Sequence, residues 1–315
     1  MHLRSAAAFV LPLLATALVA QSPQPQEQDP VIRTRVELVN LFVTVRDRQN
    51  QPVNNLRKED FRVLEDGRPQ AIEFFARDTS LPLTLGLLLD TSGSQRNLLP
   101  AEQEAATRFL ERTLRTGDEA MVVTFDLEVA LPAGFTSDRA ALERAIQRAR
   151  IRMPEPATAA SGPPGGTTLY DAIDQTCRHR LAARTGRKAL VIITDAEDTG
   201  SRTARDEALD IAQRTDTTLH IILITQRAGF GFGRENEKNA RKLAEETGGR
   251  VVTAAYAADL DLAFSQIEEE LRSQYILGYT PANRARDGAW RKLRVETARR
   301  HTRALTRSGY FAPNQ

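Results

Sequence analysis

The sequence predicts an α/β fold: a doubly wound, mostly parallel sheet inserted in a small β-sandwich-like domain built from both chain ends. Three observations carry that reading. Nearly unbroken apolar runs at Leu83–Leu89, Ala120–Phe125, Ala189–Thr194 and Leu219–Ile224 have the make-up of strands covered by helices on both faces. The segments between them return apolar residues at helical spacing. Before residue 80 and after residue 272 the apolar residues fall instead into short β-branched and period-two runs. The chain has 315 residues, more than a typical domain of roughly 100–200, so one large unit and a smaller one are expected.

The elements follow in order. Val36–Val45 is β-branched and apolar, and Asp47–Pro52 is turn-like. Phe61–Glu65 is a strand closed by the Asp-Gly hairpin turn of Glu65-Asp66-Gly67-Arg68, with Ile72–Phe75 as the expected return. After the strand Leu83–Leu89, residues 98–115 carry the helical stripe Ala106, Phe109, Leu110 and Leu114. Residues 138–150 form a second helix, capped by Ser137 or Asp138. A Pro/Gly-rich loop leads to a helix from about Leu169 to Arg184. Further helices cover 203–214 and 235–247, the latter stopped by Gly248-Gly249. Val251-Val252 begins a short strand, and Leu260, Phe264, Ile267 and Leu271 lie on one face of a last helix. Strands return at Tyr275–Tyr279, Leu293–Glu296 and Leu305–Phe311. Neither flank has enough strands for a core of its own, so residues 31–79 and 273–315 are expected to pair, with the α/β domain, 80–272, between them.

Composition narrows the function. Hydrophobic residues at 41% and charged residues at 27% suit a soluble globular chain. A net charge of +2 supplies no field that would select nucleic acid or an anionic membrane. Arg291, Lys292, Arg294, Arg299, Arg300, Arg303 and Arg307 make the C-terminal segment locally basic, read as a solvated strand face. Cys177 is the single cysteine, which excludes an intrachain disulfide and a cysteine zinc site; on a helix, it is expected to be buried and inert. His2, His179, His220 and His301 stand at no metal-ligand spacing and argue against a histidine-based triad.

The N-terminus has the layout of a secretory signal peptide. His2 and Arg4 precede the small and apolar run Ala6–Ala20, and both Ala15-Thr16-Ala17 and Leu18-Val19-Ala20 offer a small-residue exit. The run is interrupted by Pro12 and is short for a membrane span, which needs about 20 apolar residues. Residues 1–20 are therefore expected to be removed, leaving no integral span, with residues 21–30 (QSPQPQEQDP) as a flexible linker. The mature protein is expected outside the cytoplasmic membrane, secreted, periplasmic or extracellular.

Ligands of open α/β sheets bind outside the carboxyl ends of the strands. Three oxygen-rich clusters belong there: Asp90-Thr91-Ser92-Gly93-Ser94 after the first apolar strand, Gly165-Gly166-Thr167-Thr168 before a helix, and Thr194-Asp195-Ala196-Glu197-Asp198 after the strand Ala189–Ile193. Any one of them alone reads as a helix cap or turn. Together they bring carboxylates and hydroxyls to one sheet edge, a hard-oxygen set suited to Mg²⁺, Mn²⁺ or Ca²⁺.

Asp-x-Ser-x-Ser after the first α/β strand, a Thr after Gly-Gly and an Asp after a later strand resemble the metal-ion-dependent adhesion site of the von Willebrand factor type A (VWA) family. The resemblance covers about residues 80–272 and implies a Rossmann-like α/β domain. It implies that Ser92, Ser94 and Thr167 ligate the ion through hydroxyls, while Asp90 and Asp195 act directly or through water. Thr168 competes with Thr167, and the Gly-Gly-Thr register favours Thr167. A remaining position would accept an Asp or Glu carboxylate from a partner protein. Ala196 stands where the family usually has Gly, which stiffens the loop without removing a ligand. Val53–Gln70, Ser273–Tyr279 and Gly309–Pro313 are similar to the leader and tail of a group of secreted bacterial VWA-related proteins found in Acidobacteria-like genomes.

Enzyme readings fare worse. Asp90-Thr91-Ser92-Gly93 is not the Asp-Thr-Gly of an aspartic protease and has no second copy. A phosphotransferase with an aspartyl nucleophile would want Asp at position 92, and neither Ser92 nor Ser94 has the Gly-x-Ser-x-Gly frame of a serine hydrolase. The leading expectation is a non-enzymatic, metal-dependent binding module. The alternatives are a cell-envelope scaffold with a non-functional site and, behind it, a metal-dependent hydrolase. Glu197 and Asp198 read as solvated loop acids rather than a second cation site, and Trp290 and Tyr279 as β-domain core rather than a recognition patch.

Overall fold

In the N-terminal flank of the structure, a computed structural model, four strands form: β1 (Val39–Arg46), β2 (Phe61–Glu65), β3 (Arg68–Gln70) and β4 (Phe74–Ala76). The structure describes residues 38–77, 81–151, 166–225 and 232–314; the expected signal peptide and linker lie outside them. Asp66 and Gly67 take φ of 49° and 78°, the left-handed pair that a two-residue hairpin requires. The return strand is β3, directly after this turn, and pairs with β2 (Glu65↔Arg68). The expected return, Ile72–Phe75, is strand only from Phe74, and the strand there, Phe74–Ala76, instead crosses to a different sheet and pairs with a C-terminal strand. The tight turn puts Arg68 opposite Glu65 and leaves Phe74–Ala76 out of reach of β2.

The α/β domain follows as β5 (Leu83–Asp90), α1 (Leu99–Thr113), β6 (Glu119–Phe125), β7 (Val129–Thr136), α2 (Arg139–Gln147), α3 (Leu169–Thr176), β8 (Arg187–Thr194), α4 (Arg205–Arg214), β9 (Thr217–Ile224), α5 (Phe232–Glu246), β10 (Val251–Ala254) and α6 (Ala257–Arg272). The sheet order is β10-β9-β8-β5-β6-β7, parallel except for the edge strand β7, which runs antiparallel to β6. All eight residues of β5 are buried, as the unbroken apolar run requires of a strand with helices on both sides. Two apolar layers cover the faces, one around Phe109 and Phe264, the other around Leu190 and Ile221. Asp138 caps α2, its carboxylate accepting from the amides of Ala140 and Ala141. α3 ends at Thr176 and continues through Leu181 as one wide π turn. An unbroken α-helix would carry the stripe Leu169, Ala172, Ile173, Thr176 on to Arg180; the wider turn buries Leu181 instead and leaves Arg178–Arg180 in solvent. Gly249 follows α5 so closely under β9 that a Cβ there would collide with the Leu219 carbonyl oxygen.

The chain then adds β11 (Tyr275–Tyr279), β12 (Trp290–Thr297), β13 (Arg303–Leu305) and β14 (Gly309–Phe311). These join the N-terminal strands in two four-stranded sheets, β13-β1-β11-β4 and β14-β12-β2-β3, around a shared core that includes Leu41, Val43, Val63, Tyr275, Leu293 and Val295. Glu65 is 2% exposed and ties the sheets together, accepting from the Tyr279 hydroxyl at 2.6 Å and the Tyr310 hydroxyl at 2.8 Å. Tyr279 is core, while Trp290 is 37% exposed and packs edge-on against Phe311. Arg291 corrects the expectation of a solvated basic face: it is 5% exposed and held by Asp287 at 2.8 Å. Arg307 leaves that face as well, pairing with Asp216 at 2.6 Å.

Flank and α/β domain meet around Glu270 of α6, which is fully buried. Arg46, at the end of β1, bonds it at 2.7 Å, and Arg250 stands 3.7 Å away. His220 is buried beside them; burial holds its pKa down, to about 4, against the attraction of Glu270, so the ring is neutral. Removing one partner of a buried pair strands the other charge, at about 3–5 kcal/mol. Arg46→Ala is therefore expected to cost that order of stability in denaturant titrations, and the double variant Arg46→Ala/Glu270→Ala less than the sum of the two singles. Additive losses would show that the pair contributes no coupling.

Candidate metal centre

The sheet reverses its winding direction around β5, whose neighbours are β6 on one side and β8 on the other. Loops diverge at such a switch point and leave a crevice at the carboxyl ends of the strands. Asp90 ends β5, Asp126 follows β6 and Asp195 follows β8.

Asp90 is fully buried. One of its oxygens accepts from the Ser92 amide at 2.9 Å, the other from the Thr194 hydroxyl at 2.7 Å. Thr194 in turn receives the Ala196 amide at 3.0 Å, so one hydroxyl joins the ends of β5 and β8. The Ser92 and Ser94 hydroxyls lie 2.9 Å apart, and Gln95 donates to Ser94 at 3.2 Å. Asp195 is half-buried, close enough for its charge to act on Asp90. Burial pushes the Asp90 carboxyl up to about 7, overriding the hydrogen bonds from Ser92 and Thr194, and the charge of Asp195 adds to the rise.

The threonine loop is fastened to both of the others. Thr168 donates its hydroxyl to the Asp126 carbonyl at 2.9 Å, and Thr91 donates its own to the Asp126 carboxylate at 3.2 Å. The Thr167 carbonyl accepts from the amides of Thr199 and Gly200, both at 3.1 Å. Thr168 is thus committed to structure, and the Thr167 hydroxyl has no partner among the described residues. Ala196 takes φ of 57°, a left-handed conformation costing an alanine roughly 1–2 kcal/mol; the loop after Asp195 is held in a shape that glycine adopts freely. Asp198 is no solvated acid: it receives the Tyr170 amide at 3.0 Å and the Ser201 hydroxyl at 2.6 Å. Glu197 is exposed. Cys177 is buried, and burial raises its thiol to about 12.

Two residues close to the site escape a reading of the sequence, and a third enters it only as part of a cluster. Asp126 occupies the same post-strand position as Asp90 and Asp195, a signal present in the pattern. Thr194 stands out only as a neighbour of Asp195. Glu102, in the first turns of α1, is fully buried, with both carboxylate oxygens unpartnered among the described residues. Burial lifts its carboxyl to about 8, with Asp90 and Asp195 adding to the rise. Gln95 likewise buries an unpartnered side-chain oxygen.

The donor set fits a hard divalent cation. It offers carboxylate and hydroxyl oxygens, no nitrogen or sulfur, and buried oxygens with no protein donor. Among the described residues no cluster of three or more His, Cys, Asp or Glu side chains could hold an ion, so an ion here would need hydroxyl oxygens beside the carboxylates, and the Ser92–Ser94 pair supplies two of them.

An α/β domain with a hydroxyl-rich oxygen site at its switch point is the class these observations define. Residues 85–197 match the family described as von Willebrand factor type A domain. Among solved structures, proximal thread matrix protein 1 from the mussel byssus superposes with a TM-score of 0.51 at 15% identity, over 66% of this chain and 51% of that one. A von Willebrand factor type A protein from Catenulispora acidiphila gives 0.50 at 15% identity, over 89% of this chain and 64% of its own. The chain thus spans about half of the first relative and under two thirds of the second. No curated protein matches the chain. The chain contains a von Willebrand factor type A domain.

Raised carboxyl pKa values set the sign of a pH effect. With chelator present, the folded protein keeps protons on Asp90 (3.8 raised to about 7) and Glu102 (4.5 raised to about 8) after the unfolded chain has released them. Their combined effect is least destabilising below about pH 4 and grows as pH rises through 7 to 8. The melting temperature of metal-free protein should therefore fall between about pH 5 and pH 8, and Asp90→Asn should flatten the decline. A melting temperature that climbs over this range in wild type would contradict the assignment.

Proposed function

We propose that this chain is a divalent-metal-dependent protein-binding module and not an enzyme. Asp90, Ser92, Ser94, Thr167 and Asp195 would hold Mg²⁺, Mn²⁺ or Ca²⁺, with an Asp or Glu carboxylate of a partner protein completing the coordination. The observation that carries this reading is the Asp90–Thr194 hydrogen bond with the paired Ser92 and Ser94 hydroxyls beside it. It gathers the donors of two loops at one sheet edge. Three neutral hydroxyls among the ligands would leave the ion a substantial positive charge, so an anionic oxygen is the natural incoming group.

Calorimetry on mature protein should show one Mn²⁺ or Mg²⁺ site that Asp90→Ala abolishes; equal binding by the two proteins would reject the ligand set. Partner protein captured from source-cell extract should be released by EDTA and recovered with Mg²⁺ or Mn²⁺. Thr167→Ala should weaken capture while leaving the melting temperature in chelator unchanged. Retention equal with and without chelator would make the metal irrelevant to binding.

No helix among the described residues is long and apolar enough to cross a membrane. Export is supported by the basic start, short apolar run and small-residue exits before residue 21. Sequencing the N-terminus of protein from the medium or cell envelope should find about the first 20 residues removed, and intact Met1 in the cytosol would count against export.

A further inference from the structure

Glu102 lies on α1, the helix that leaves the Asp90–Ser94 loop and packs in the core layer that also holds Phe109 and Phe264. It is 0% exposed. A carboxylate so placed normally has an arginine, a lysine or several hydrogen-bond donors, yet among the described residues neither oxygen of Glu102 has a partner. The charged groups acting on it are Asp90 and Asp195, both negative. Glu102 does nothing for α1 as a cap, since no hydrogen bond ties its side chain to the helix start. Between the Ser92–Ser94 pair and α1, the buried Gln95 has its amide nitrogen on Ser94 and its side-chain oxygen unpartnered. The buried acceptor oxygens of Gln95 and Glu102 thus lack a donor in the very stretch of chain that leads away from Ser92 and Ser94. Because Asp90, Asp195 and Glu102 form no three-carboxylate cluster at coordinating distance, Glu102 cannot be a direct ligand together with both aspartates.

We propose that Glu102 is an outer-sphere carboxylate of the cation centre, accepting hydrogen bonds from the ion's water and hydroxyl ligands and supplying a third negative charge. This rests on the metal-binding reading above. The bound ion lets the Ser92 and Ser94 hydroxyls and its own water ligands point their protons away from the metal, giving the buried acceptors the donors that the protein alone does not. Glu102 thereby sets how tightly the ion is held.

The test is Mn²⁺ binding followed by calorimetry and by the paramagnetic resonance of free Mn²⁺, at one fixed pH, for wild type, Asp90→Asn and Glu102→Gln, with melting curves in chelator. Loss of an outer-sphere partner typically costs about 10–100-fold in metal affinity, and Glu102→Gln is expected to weaken Mn²⁺ by about 10-fold or more. In chelator the same variant should melt no lower than wild type, since a buried carboxyl whose oxygens have no donor among the described residues has been replaced by a group that cannot ionise. Should Glu102→Gln fail to fold, Glu102→Met, apolar and of similar length in a core position, gives the same readout. Wild type that binds Mn²⁺ and a Glu102 variant that binds it within about twofold would overturn the role of Glu102 and leave the metal centre standing, being far from the loss a real partner produces. Wild type that binds no Mn²⁺ would overturn the metal centre itself, and this role with it.

Discussion

Glu270 is a carboxylate with no access to solvent, and the arrangement of this molecule turns on how it is neutralised. Arg46 comes from the first strand, Arg250 from the approach to β10, and Glu270 itself from the last helix. Nearby, Arg187 of β8 bonds Gln274 and the Leu271 carbonyl, fixing the short link from α6 into β11. Ion pairs this deep add little net stability compared with apolar packing, but they are intolerant of misplacement. Their effect is geometric: the end of α6, the start of β11 and the end of β1 are fixed with respect to one another. The last helix thus has its C-terminal turn tied to the flanking sheets.

The opposite edge of the central sheet is built on different terms. There the chain uses hydroxyls and buried or half-buried carboxylates that bond one another across loops, with Asp126 and Thr194 as the joints. Rigidity at one end and a polar, electrostatically unbalanced cluster of loops at the other follow from the same sheet. The strands that end in Asp90 and Thr194 begin side by side at Leu83 and Arg187, next to the clamped segments.

Much of this is legible in the sequence. The buried strands announce themselves because both of their faces are apolar, and the hairpin at Asp66-Gly67 because few other pairs accept that backbone. β7 does not, because Pro132 and Gly134 break its pattern, and an edge strand with irregular register tolerates both. The return of β2 is misplaced because Ile72–Phe75 is more strand-like in composition than Arg68-Pro69-Gln70, whereas the turn, not composition, decides what lies opposite. At the site, the ligand loops are readable from hydroxyls and acids after apolar runs. Glu102 is hidden for the opposite reason: within Ala101-Glu102-Gln103-Glu104 it looks like one more surface acid of an ordinary helix. Its position four residues before the buried Ala106, on the inward stripe, is the available clue. Arg291 is hidden in the same way, an inward position of a period-two strand occupied by a charge.

The pairing of β1 with β11 and β13 has a consequence for how the molecule is made. Arg46 meets Glu270 across 224 positions of chain, and β1 has its strand neighbours only in segments synthesised long after it. Until those arrive, Leu41, Val43 and Val45 belong to an apolar strand with both edges unpaired. Such long-range pairing is slow, and exposed strands invite wrong partners while they wait. The central sheet, whose strands are joined by local crossovers, can assemble first. Closure of the sandwich is then the late step, and the period in which the nascent chain most depends on being kept from its neighbours.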